Sequence, residues 1–79
     1  MSKGQPDDSL DARGRRCSML SMMVADRISP LSPGAVLEVL TDDPGAPTEM
    51  PAWCRRTGHE LVGLEPTGEE FRLRIRRGG

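Results

Sequence analysis

Seventy-nine residues, 35% hydrophobic and only 3% aromatic, allow one small domain whose core must be aliphatic. Such a core disfavours a deep, enclosed catalytic pocket. Eleven cations against twelve anions, a formal net charge of −1, argue against direct nucleic-acid binding, which needs a cationic excess.

No stretch approaches the roughly 20 apolar residues of a membrane span, so no membrane partner is expected. Met1–Gly14 is polar and has no apolar signal segment, which makes the cytoplasm the expected compartment. Thiols stay reduced there. Two cysteines are too few for a disulfide framework, so Cys17 and Cys54 are expected as free thiols.

Residues 1–8 read as a flexible leader, 9–77 as a single domain and 78–79 as a flexible tail. A short first strand is expected at Ser9–Ala12, ended by a turn at Gly14. From Ser18, Met19, Met22, Met23 and Ile28 fall near helical spacing, with Leu20 and Val24 widening the stripe, so the methionines read as core. Ser29-Pro30 and Ser32-Pro33-Gly34 stop that helix. Ala35–Thr41 is an aliphatic run predicted to be a buried strand, and Asp42-Asp43-Pro44-Gly45 a turn. A second helix follows with Thr48 as its cap, Pro51 in its first turn and Gly58 as its stop. Met50, Trp53, Cys54 and Thr57 share one face of it. Glu60–Glu65 is a third strand, and Pro66-Thr67-Gly68 turns into a fourth. There Phe71, Leu73 and Ile75 alternate with Arg72, Arg74 and Arg76, so one face packs and the other meets solvent. The order is β-α-β-α-β-β. It predicts an α/β two-layer sandwich: a four-stranded mixed sheet with two helices on one face, the first two strands parallel and the final hairpin antiparallel.

Cys17 is the residue with chemical promise. It stands between Arg13, Arg15 and Arg16 and the start of a helix. Guanidiniums and unpaired helix N–H groups both favour thiolate over thiol, and the thiolate is the nucleophile. Cys54, beside Trp53 on an apolar face, reads as an inert core thiol. His59, just past Gly58, reads as a cation at the negative end of a helix. Cys17, Cys54 and His59 lack zinc-site spacing, so no metal is expected. The arginines of the last strand read as edge protection.

Asp11-x-x-Gly14-x-x-Cys17 and Pro33-Gly34-Ala35-Val36-Leu37-Glu38-Val39 resemble the TusA-like (SirA-like) sulfur-carrier family. Asp42-Asp43-Pro44-Gly45-Ala46 and the block from Pro51 to Leu61 continue the likeness, which runs from about Leu10 to Arg76. The resemblance implies the same β-α-β-α-β-β sandwich and a persulfide carried on Cys17. It implies as partners a cysteine desulfurase or other persulfide donor and a downstream sulfur-acceptor protein, with no cofactor. Arg13, Arg15 and Arg16 would steady the anion and aid docking, Asp11 and Gly14 belong to the motif, and the Ser18 hydroxyl would cap or contact the persulfide. The family's Cys-Pro-x-Pro is replaced by Cys17-Ser18-Met19-Leu20, without either proline. That departure keeps open an alternative: a non-catalytic binding or regulatory module of the same fold.

Overall fold

The computed structural model describes residues 6–78, without the side chain of Cys17. The elements are β1 (Asp8–Asp11), α1 (Cys17–Ile28), β2 (Val36–Thr41), α2 (Ala46–Thr57), β3 (Glu60–Thr67) and β4 (Glu70–Arg76). The expected order holds, and so does the mixed sheet. β1 pairs with β2 in parallel, and β4 pairs antiparallel with both β2 and β3, giving the spatial order β1-β2-β4-β3.

The last strand is therefore interior. Its arginines do not guard an edge, because the hairpin returns β4 between β2 and β3. They lie instead in a lattice of carboxylates on the outer face of the sheet. Glu38 lies 3.5 Å from Arg72 and 3.4 Å from Arg74, Glu65 lies 3.6 Å from Arg72, and Glu60 pairs with Arg76. Glu38–Arg74, Glu65–Arg72 and Glu60–Arg76 are also direct cross-strand neighbours, so charge and backbone register agree.

The opposite face carries the core. Leu37 and Val39 of β2 and Leu73 and Ile75 of β4 are fully buried, joined by Met50, Trp53 and Cys54 of α2. From α1 the buried residues are Leu20, Val24 and Ile28, one every fourth position. This corrects the reading of the methionines. Met19 and Met22 are 47% and 63% exposed, and only Met23 packs partly against the core. Two apolar stripes overlap on α1, and the branched aliphatic one faces the sheet.

α2 also begins earlier than its sequence suggests. Its cap is Gly45 rather than Thr48, Pro47 sits in the first turn, and Pro51 lies inside the helix. A proline suits the first turn because its missing N–H would have no partner there. Pro51 forgoes one helical bond, to the Pro47 carbonyl. The helix stops as expected at Gly58, whose φ of +82° is left-handed. β3 runs on to Thr67 with an irregularity between Leu61 and Gly63, so the hairpin turn shortens to Gly68-Glu69. At the other end of the sheet strand order, β1 opens at Asp8, and Asp7 already exchanges two hydrogen bonds with Val36, each 2.8 Å.

Candidate functional site

β1 and β2 run parallel, so both end at the same edge of the sandwich, and the loops leading into α1 and α2 meet there. The pairing continues one step past β1, with the Ala12 N–H donating to the Leu40 carbonyl at 2.8 Å. The chain then turns sharply: the Arg15 N–H donates to the Ala12 carbonyl at 3.3 Å, with Gly14 at φ +83° between them. The third position of a type II turn requires such a positive φ, which glycine adopts without strain.

Asp11 and Arg13 brace this turn from the strand side. The Asp11 carboxylate accepts the Arg13 backbone N–H at 3.2 Å, Nε at 3.0 Å and Nη2 at 2.8 Å. Those bonds favour the ionised carboxylate and hold its pKa down at about 2, while the same contacts raise that of Arg13. Arg13 Nη1 reaches on to Glu70 at 3.4 Å. Its charge is thus committed to two carboxylates. From the other side, the Gly14 N–H donates to Oδ1 of Asp42 at 2.9 Å, across 28 residues of sequence.

Arg16 caps α1 with extended backbone, φ −79° and ψ 163°, and its carbonyl accepts the first helical bond, from the Leu20 N–H at 2.7 Å. Cys17 is therefore the first helical residue; its side chain lies outside the described part of the structure. Helix geometry leaves the N–H groups of residues 17–19 without an intrahelical acceptor. No acidic residue occupies the first turn of α1. A proline at 18 would have disfavoured helical backbone at 17; Ser18 leaves the cysteine free to adopt it.

Arg15 and Arg16 are exposed, and among the described residues neither has a carboxylate within ion-pairing distance. With Gly14, Asp42, Asp43 and Pro44 they line an open depression of about 280 Å³. Ser18 is exposed, and its carbonyl accepts the Ser21 hydroxyl at 3.1 Å. Beside it, Ser18, Ser21, Glu49, Met50, Trp53 and Arg56 line a second groove between the helices. The structure thus gathers Arg13, Gly14, Arg15, Arg16 and Ser18 around the start of α1, with Asp11 behind them. Two residues of this corner went unread in the sequence: Asp42, which looks like an ordinary turn residue, and Glu70, remote in the chain.

The other candidates lie elsewhere. Cys54 is buried in α2, and burial pushes its thiol up to about 11. His59 does not serve as a cation at the end of α2. Its Nδ1 accepts the Gly78 N–H at 2.9 Å, its ring sits 5.5 Å from that of Trp53, and burial and the nearby Arg77 lower its pKa. An accepting Nδ1 carries no proton, so the imidazole is neutral. Among the described residues no group of three potential metal ligands occurs, and no helix is long and apolar enough to cross a membrane.

Residues 8–77 match the family model described as sulfurtransferase TusA, which spans every strand and helix above.

Proposed function

Because the chain belongs to the TusA family of sulfurtransferases, whose general role is carrying sulfur between donor and acceptor proteins, we propose that it is a cytoplasmic sulfur-relay protein. Cys17 accepts a persulfide from a donor such as a cysteine desulfurase and passes it to an acceptor protein. The observation that carries this reading is the position of Cys17 in the backbone, first in α1 and directly after two exposed arginines that have no carboxylate within ion-pairing distance among the described residues.

In the first step the Cys17 thiolate attacks the outer sulfur of a donor persulfide, R–S–SH. A new S–S bond forms to Cys17, the donor S–S bond breaks, and the donor leaves as the thiolate R–S⁻. The transferred sulfur keeps its own proton, leaving Cys17 as S–SH with no external oxidant or reductant. The second step repeats the exchange, with an acceptor nucleophile attacking the outer sulfur and Cys17 leaving as thiolate. Both steps follow the rules of thiol–disulfide exchange, so their rates depend on thiolate fraction and access. Arg15 and Arg16 supply the positive field that favours the anion and attracts acidic partner surfaces. Arg13, held by Asp11 and Glu70, shapes the turn at Gly14, and the exposed Ser18 hydroxyl lies one residue from the reacting position.

The test is a mass measurement after incubation with a cysteine desulfurase and cysteine. The protein gains one sulfur on the Cys17 peptide, Cys17→Ser abolishes the gain and Cys54→Ser does not. No gain with several donors, together with a Cys17 alkylation midpoint near the free-cysteine value of about 8.5, would establish the non-catalytic binding module instead.

A further inference from the structure

The turn that leads to Cys17 has two tethers beyond its strand. One is the Arg13–Glu70 ion pair at 3.4 Å, exposed and long. The other is the 2.9 Å hydrogen bond from the Gly14 N–H to Asp42. The second has the better geometry for holding a backbone. It grips the chain at the one left-handed residue of the turn, three residues before the cysteine.

The Asp42 carboxylate is also free of local duties. Asp43 performs the work of its own turn: its N–H donates to the Thr41 hydroxyl at 3.1 Å, and its Oδ1 accepts the Gly45 N–H at 3.1 Å. α2 takes no side-chain cap from either aspartate. The only hydrogen bond that the described residues give the Asp42 side chain is the one from Gly14.

We infer that Asp42 is a positioning residue for Cys17: its carboxylate pins Gly14 so that the turn delivers the cysteine to the helix start in one place. With Ser18 and Leu20 rather than prolines at the helix start, the facing loop supplies the tether on this approach. The sulfur-transfer arm of the test rests on the relay reading above; the other two arms do not.

Three measurements on the whole chain, each on Asp42→Ala and Asp42→Asn, decide it. Asparagine loses the charge but keeps a carbonyl acceptor for Gly14, whereas alanine loses both. Amide exchange at Gly14 accelerates in the alanine variant and stays close to wild type in the asparagine variant. The pH midpoint for Cys17 alkylation, read on its own peptide by mass spectrometry, rises toward about 8.5 in alanine relative to asparagine. The rate of sulfur uptake on Cys17 falls by about two- to tenfold in alanine, the scale of one net hydrogen bond, and is largely restored in asparagine. Equal Gly14 exchange and equal alkylation midpoints in the two variants overturn the inference, whether or not the wild type takes up sulfur. A wild type that takes up no sulfur overturns the relay reading instead, and leaves the first two measurements to decide the role of Asp42.

Discussion

The backbone N–H of Gly78 donates to Nδ1 of His59 at 2.9 Å, so the backbone just past β4 is fastened to the residue that leads from α2 into β3. Gly78 fits this place closely: a Cβ there would overlap the Gly58 carbonyl oxygen. Only the neutral imidazole can accept this bond, and burial and Arg77 hold the His59 pKa below its ordinary 6.5. The sign of the pH dependence follows. Above 6.5 both folded and unfolded histidine are neutral, and the contribution is complete. As pH falls below 6.5 the unfolded chain binds the proton first, so stability is lost progressively down through the folded pKa. The thermal midpoint of the wild type should therefore drop as pH falls below 6.5, before most carboxylates titrate. In His59→Asn the amide oxygen takes the Gly78 N–H without titrating, and the midpoint should stay level across that window. Equal slopes in the two proteins would remove His59 from the account.

The assignment of the α1 faces has a direct stability test. Leu20 is fully buried in the core, whereas Met22 is 63% exposed. Leu20→Ala should cost about 2–5 kcal/mol, the transfer term plus the cavity it leaves. Met22→Ala should change stability by no more than about 0.5 kcal/mol, since no core contact is lost and alanine favours helix. Urea unfolding midpoints at a common slope give both values.

That contrast shows where the sequence was legible and where it was not. In β4 the alternation of Phe71, Leu73 and Ile75 with arginines has one interpretation, and Leu73 and Ile75 are fully buried. On α1, Met19-x-x-Met22-Met23 and Leu20-x-x-x-Val24-x-x-x-Ile28 are both helical stripes; only the sheet beneath decides between them. The start of α2 was hidden by two prolines that local rules place in a first turn, where just one can sit. Sheet order lay outside any local pattern, and so did the interior place of β4. The same holds at the site. The Cys17 corner was readable from its own arginines, but the Gly14–Asp42 bond joins residues 28 apart, and His59 takes its partner from 19 residues further on.

Cys54 should be chemically silent in the native protein. With its pKa at about 11, roughly one molecule in a thousand carries the thiolate at pH 8, against about a quarter for free cysteine. Steric exclusion adds to this, since the residue is 2% exposed. Alkylation mapped by mass spectrometry at pH 8 should leave the Cys54 peptide unmodified on a timescale that labels it fully in guanidinium. Native labelling at the free-thiol rate would mean that α2 opens far more readily than its packing implies.

Restoring one motif proline tests how the helix start governs Cys17. α1 now begins on Cys17, with Arg16 as its cap. Ser18→Pro removes an N–H that has no intrahelical partner, so nothing is lost at position 18 itself. The residue before a proline is pushed out of helical backbone, however, so Cys17 should become the cap and the helix should begin one residue later. The Leu20 N–H then loses its acceptor, the Arg16 carbonyl now 2.7 Å away, and its amide exchange should accelerate while that of Ser21 stays slow. At the cap, a side-chain acceptor can take the N–H of the second helical residue, here Met19, an arrangement that stabilises a thiolate more than the first helical position does. The alkylation midpoint of Cys17 should therefore fall in Ser18→Pro relative to wild type. An unchanged midpoint accompanied by faster Leu20 exchange would separate the two effects: the proline would have moved the helix start, and the ionisation of Cys17 would then depend on Arg15 and Arg16 instead.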